Sequence, residues 1–190
     1  SKDSVVLPPV MEAVDAFYRR AGTSQLTFMR EMPAGHAFVS TDFGGACDVN
    51  ASPYVNECKT DEGLYDQPRA ILTQIYGPLA PEATTLSAEP IAFNQRTYGS
   101  ILTGLDRTGY VYIPASCRDD AAPPCALHVV FHGCLQGAEK VGDAVYGRLG
   151  YNGWAEANRI IVLYPQIATS ALNPNGCWDW WGYSGLNFQT

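Results

Sequence analysis

Leu127-His128-Val129-Val130-Phe131-His132-Gly133-Cys134 and Ile160-Ile161-Val162-Leu163-Tyr164 are the stretches that decide the fold class. Each is a strand-length, nearly continuous apolar run, and a helical stretch ending at Ala155 to Asn158 lies between them. Continuous rather than alternating apolar runs mark strands buried on both faces, and two of them joined through a helix make a βαβ unit.

Outward from this unit the chain keeps alternating. Ile91 to Phe93 and Gly109 to Ile113 read as strands around a Gly-rich turn region, after a connector from Pro81 to Pro90. Before the connector a helix is expected from about Gln67 to Tyr76, with Asp66 as its N-cap and Gly77-Pro78 as its stop. Residues 40 to 63 are rich in Gly, Asp, Asn, Ser and Pro and read as an irregular surface excursion. Near the N-terminus, Pro8-Pro9 precedes apolar residues at Val10, Val14 and Phe17, and Gly22 can end the helix they imply. Glu12 and Asp15 before Arg19 and Arg20 suit its dipole. Leu26 to Glu31 is rich in β-favouring residues and is expected as a strand, which Met32-Pro33-Ala34-Gly35-His36 breaks, so His36 falls on a loop at a strand end. The whole, residues 1–190, is expected to be one α/β domain.

Composition excludes several function classes. The net charge is -7, from 19 acidic and 12 basic residues. The Lys and Arg are scattered rather than clustered, so no nucleic-acid partner is expected. No apolar run approaches the ~18 residues of a membrane helix. Six cysteines, Cys47, Cys58, Cys117, Cys125, Cys134 and Cys177, show no CxxC and no metal-like spacing with the histidines. Their even number points to disulfides, an oxidising compartment and a secreted or periplasmic protein, with no metal. Fifteen pairings are possible. Cys47 with Cys58 and Cys117 with Cys125 are the neighbours in sequence, which leaves Cys134 for Cys177. Several free buried thiols are the other reading.

Three features could carry chemistry. Phe131-His132-Gly133-Cys134 follows a buried strand, where α/β-hydrolases place a backbone N–H of the oxyanion hole and a glycine lets the backbone approach the reacting carbonyl. A plain strand-ending turn beside a structural disulfide fits the same residues. Asp3 and His36 are separated by a helix and a strand, in the acid-then-histidine order of that fold's triad. No G-x-S-x-G nucleophile elbow occurs. The nearest approach, Gly182-Tyr183-Ser184-Gly185-Leu186, fails at its last position and follows Trp178-Asp179-Trp180-Trp181 rather than an apolar strand. Ser100 and Ser170 lack even that likeness. Trp178 and Trp180, with Trp181 and Tyr183, are candidates for binding an apolar substrate face, packing being the other use of such rings.

Taken together these residues resemble the circularly permuted extracellular polyhydroxybutyrate depolymerases. The resemblance is carried by Gly35-His36-Ala37-Phe38, Thr41-Asp42-Phe43-Gly44-Gly45, Ser52-Pro53-Tyr54 and Ile75-Tyr76-Gly77. It continues through Asp106-Arg107-Thr108-Gly109-Tyr110, Leu127 to Gln136, Gly150-Tyr151-Asn152-Gly153-Trp154, Ile161 to Gln166 and Asn173-Pro174-Asn175-Gly176-Cys177-Trp178-Asp179-Trp180. It implies a circularly permuted α/β-hydrolase fold with a mainly parallel central sheet, and ester hydrolysis of a polyester or its oligomers without a cofactor. It places the triad acid at Asp3 in Ser1-Lys2-Asp3-Ser4, the histidine at His36 and the oxyanion donor at the Cys134 N–H, and agrees with the disulfide pairs above. In that family the serine elbow precedes the acid and a final helix follows the Trp-rich segment, so the chain reads as incomplete, its serine on a missing segment or a companion chain. Such a piece is expected to expose apolar sheet. Feruloyl or acetyl esters of plant polysaccharides are an alternative substrate class. A non-catalytic polymer-binding module is an alternative of another kind.

Overall fold

A computed structural model of the chain describes residues 1–99, 103–119 and 121–185, and Ser100 lies outside them. The chain forms two compact units, Ser1–Gln67 and Pro68–Thr190.

The first unit opens with helix α1, Pro8–Arg20, whose two prolines are its first residues rather than its preamble. Proline suits this place because its missing N–H would be unpaired there anyway and its φ is already helical. Arg19 and Arg20 fall in the last turn, and Gly22 follows with φ 85°. The apolar stripe read from Val10, Val14 and Phe17 is real but exposed, at 52, 40 and 65%, and no α1 residue is buried. Leu26 to Glu31 forms no strand. A strand exists only where a neighbour completes its hydrogen-bond ladder. Here the local bond from the Arg30 N–H to the Phe28 carbonyl takes its place. The excursion of residues 40 to 63 is tied by short strands: β1 (Phe38–Val39) and β2 (Gly45–Ala46) each pair in parallel with β3 (Val55–Glu57), and β4 (Lys59–Thr60) with β5 (Gly63–Leu64) makes a small antiparallel ribbon. Cys47 and Cys58 are bonded across it.

The second unit follows the sequence reading closely. Helix α2 spans Gln67–Tyr76 and buries Pro68 and Leu72. Four strands, β6 (Ile91–Asn94), β7 (Thr108–Tyr112), β8 (Ala126–Val129) and β9 (Ile160–Tyr164), make one sheet in the order β6-β7-β9-β8. Between β8 and β9 run the short α3, Ala138–Val141, and α4, Tyr151–Asn158. β8 and β9 are parallel, as the βαβ reading requires, with Leu127 opposite Ile161 and Val129 opposite Leu163. β7 is antiparallel to both β6 and β9, so the sheet is mixed.

Burial separates the two faces of the runs that decided the fold class. In β9, Ile160, Val162 and Tyr164 are at most 2% exposed, and each fully buried apolar side chain contributes about 1.5–3 kcal/mol. In β8 the expectation of burial on both faces fails: Leu127 is 58% and Val129 36% exposed, and Phe131 just beyond is 57% exposed. The cause is the face: Leu127 and Val129 stand opposite Ile161 and Leu163, which are also incompletely buried, whereas His128 and Val130 on the other face are buried like Ile160, Val162 and Tyr164. Cys117–Cys125 and Cys134–Cys177 are both bonded, which completes the three expected pairs.

The Tyr164 hydroxyl donates to Asn152 Oδ1 at 2.7 Å in the interior, and Asn152 in turn donates to the Tyr146 carbonyl at 2.9 Å. Tyr164→Phe removes the donor and leaves that amide oxygen unpaired, so a loss of about 1–3 kcal/mol is expected in urea denaturation, with the slope unchanged.

Candidate active site

Asp3 and His36 are brought together. His36 Nδ1 lies 2.9 Å from Asp3 Oδ2, and since a carboxylate only accepts, Nδ1 carries the proton and donates. Nε2 is left with no partner among the described residues. The acid is the better covered of the two, with side-chain exposure of 17% against 43% for the imidazole. Its other oxygen, Oδ1, accepts the Val5 and Val6 N–H groups at 2.8 Å each. Burial raises the Asp3 pKa, but the bonds from His36, Val6 and Val5 and the His36 charge outweigh it, and the carboxyl titrates below its ordinary 3.8.

The frame around this pair is made of backbone and one amide. Asn50 Oδ1 accepts the N–H of His36 at 2.7 Å and that of Ser4 at 3.3 Å, while its Nδ2 donates to the Lys2 carbonyl at 3.2 Å. One side chain thus fastens the residues flanking the acid to the backbone of the histidine. Sequence reading passed over Asn50 because it stands in a loop among many polar residues, with no motif to mark it. Lys2 N–H also donates to the Ala34 carbonyl at 2.8 Å, and Gly35 N–H to the Cys47 carbonyl at 2.7 Å. The Cys47–Cys58 bond therefore anchors the backbone on which the residue before His36 rests.

The other two histidines have no carboxylate partner among the described residues. His128 contacts the Tyr76 hydroxyl at 3.4 Å and stacks on Tyr151, and burial lowers its pKa. His132 is 2% exposed; its Nδ1 lies 2.7 Å from the Gly133 carbonyl and donates to it, and its Nε2 accepts the Ile167 N–H at 3.2 Å. Burial lowers its pKa against the opposing effect of the Gly133 bond. Its role is to hold the turn after β8. In that turn Gly133 N–H donates to Gln136 Oε1, Gln136 N–H to the Gly133 carbonyl and Leu135 N–H to the Asn175 carbonyl. The Cys134 N–H has no acceptor among the described residues.

Trp178 is half-buried, donating from Nε1 to the His132 carbonyl at 2.9 Å and packing edge-on against Phe131 at 4.8 Å. Trp180 is 75% exposed. Ser184 Oγ donates to Asp179 Oδ2 at 2.6 Å. Burial raises the Asp179 pKa, but the bonds from Ser184, Gly182 and Tyr183 outweigh it and bring it to about 2, too weak a base to activate a hydroxyl. Ser170 Oγ accepts the Asn173 N–H and serves a turn. Among the described residues no three His, Cys, Asp or Glu side chains gather as a metal site, and no helix is long and apolar enough to cross a membrane.

Comparison with known proteins places these features among relatives. No family model matches the chain. It is 37% identical over 192 residues to the poly(3-hydroxybutyrate) depolymerase of Delftia acidovorans, covering 98% of this chain and 37% of that protein. It is 38% identical over 205 residues to the polyhydroxybutyrate depolymerase of Talaromyces funiculosus, covering 98% and 58%. The crystal structure of a PHB depolymerase from Penicillium funiculosum matches with a TM-score of 0.86 at 37% identity, over 97% of this chain and 61% of that one. A serine-to-alanine variant of a PHB depolymerase complexed with an R3HB trimer matches with a TM-score of 0.71 at 40% identity, over 80% and 50%. The chain thus spans between about a third and three fifths of the length of these relatives.

A Cβ added at Gly35 would lie 2.2 Å from the Val49 carbonyl oxygen and 2.7 Å from its carbon, both backbone atoms that cannot swing away. Gly35→Ala is expected to cost about 1–3 kcal/mol in a thermal melt and to displace His36. A second expectation concerns pH. The Asp3 carboxyl has a lowered folded pKa, so its stabilisation is present above the unfolded value and lost as pH falls through the folded one. The stability gap between wild type and Asp3→Asn should be full at neutral pH and shrink below about pH 4.

Proposed function

We propose, on the premise that the chain belongs to the polyhydroxybutyrate depolymerase family of α/β-hydrolases, that it is the acid-and-histidine portion of a serine ester hydrolase acting on poly(3-hydroxybutyrate) or its oligomers. The observation that carries this reading is the 2.9 Å bond between Asp3 and His36 Nδ1, with no partner for Nε2 among the described residues. An imidazole so held presents a basic nitrogen in a fixed tautomer, which is the state that takes a proton from a serine.

In the proposed reaction the serine oxygen attacks the ester carbonyl while His36 Nε2 takes its proton. Asp3 holds the ring and stabilises the imidazolium. The Cys134 N–H stabilises the oxyanion of the tetrahedral intermediate. His36 then gives its proton to the departing hydroxyl end, and the acyl-enzyme that remains is cleaved by water activated through the same Nε2. No cofactor or metal takes part. Trp178 and Trp180 bind the substrate.

The serine is assigned to residues outside these 190, on further length of the same protein or on a companion chain. Two observations support this: the chain has no G-x-S-x-G, and the relatives are longer than it. That one relative was complexed with an R3HB trimer as a serine-to-alanine variant fits a serine that performs the chemistry there. The three disulfides support export to an oxidising compartment, secreted or periplasmic.

Labelling the purified protein with a fluorophosphonate and weighing every polypeptide intact tests the assignment. A labelled polypeptide that contains or accompanies this chain is expected. A preparation that cleaves the polymer and stays unlabelled refutes a serine mechanism. In the same enzyme before labelling, His36→Ala should lower kcat on polymer by roughly 10⁴- to 10⁶-fold, and near-normal turnover would remove His36 from the triad.

A further inference from the structure

The segment after Cys177 is organised around a single carboxylate. Asp179 Oδ1 accepts the N–H groups of Trp181, Gly182 and Tyr183 at 3.1, 2.7 and 3.1 Å. Its Oδ2 accepts the N–H and the hydroxyl of Ser184 at 2.8 and 2.6 Å. Four successive backbone donors converge on one side chain only if the chain curls around it, and Gly182, at φ 91°, supplies the left-handed bend. The base of the curl is also pinned, because the Tyr183 hydroxyl and Asn173 Nδ2 both donate to the Cys177 carbonyl, and Cys177 is bonded to Cys134.

What the curl displays is aromatic. Trp180 and Trp181 stand 75 and 41% exposed, with ring centroids 5.1 Å apart, and Trp181 rests on Tyr183 at 4.9 Å. Large rings this exposed keep apolar surface in water that a substrate can cover, and a rigid display spares the entropy of ordering them at binding. Asp179 sits between Trp178, which is tied to the His132 carbonyl beside the proposed oxyanion donor, and this exposed pair.

We propose that Asp179 is a positioning residue for polymer: its carboxylate clamps the 178–184 curl so that Trp180 and Trp181 form a preset apolar platform for the aliphatic polyester chain. The inference rests on the polyester reading above. Asp179 acts through the rings and touches no reacting atom.

The test uses the intact enzyme on polyhydroxybutyrate suspensions of varied concentration. Asp179→Asn keeps the shape of the side chain but turns an NH2 toward donors. It should raise the half-saturating polymer concentration roughly three- to tenfold, the size expected for one aromatic contact, with a much smaller change in kcat. Trp180→Ala should do the same, and the double variant should be little worse than Trp180→Ala alone, because a residue acting through Trp180 has nothing left to position. Additive losses, or an unchanged half-saturation in Asp179→Asn, overturn the clamp. If Asp179→Asn fails to fold, Ser184→Ala, which removes one donor, decides: a smaller rise supports the clamp and no change refutes it. A wild-type enzyme without action on the polymer overturns the functional reading and the clamp together, whereas wild-type action with an unchanged variant overturns the clamp alone.

Discussion

Irregular backbone is stable only where its N–H and C=O groups find partners, and in this protein amide and carboxylate side chains, most of them buried or half-buried, supply them. Asn56, 1% exposed, donates to the Cys47 and Val49 carbonyls. Asn50 binds both the acid and the histidine segments. In the second unit Gln95, 3% exposed, donates to the carbonyls of Asp106, Thr108 and Gln166 and accepts the Gln166 N–H. Gln166 reaches the Ala138 N–H, and Asn173 holds Cys177 from both sides. Loops held this way carry every candidate functional group, and the sheet and helices serve to bring their ends to fixed places.

This arrangement suits chemistry that needs accuracy at a few atoms. A hydrogen-bonded loop leaves chosen donors unspent, as at the Cys134 N–H, and keeps the others engaged. It also makes the acid strong: the donors around Asp3 and Asp179 lower both carboxyls in spite of burial. The two acids then diverge in role. Asp3 spends one oxygen on an imidazole, and Asp179 spends both on its own loop.

The sequence carried much of this. Helix α2, the strands β6, β7 and β9, and the start of the turn at Phe131 could be read because runs, periods and glycine stops are local signals. The pairing of Asp3 with His36 could be read only through order along the chain and the resemblance of neighbouring motifs, since 33 residues separate them. Asn50, and the part Asp179 plays, gave no such signal: a polar residue in a polar loop looks the same whether it faces water or binds four backbone groups.

By itself the sequence determined much of the alternation of helix and strand and the disulfide-forming cysteines, because these follow from residue type and spacing, and chain order with the resemblance singled out Asp3 and His36 as a candidate pair. Tertiary structure alone decided which runs are buried and which residues fasten the site. Leu26 to Glu31 has the composition of a strand, yet it joins no sheet among the described residues. Leu127 and Ile161 are register partners in a parallel pair, yet Leu127 is exposed, because a strand's burial depends on what lies beside and above it and not on its own residues.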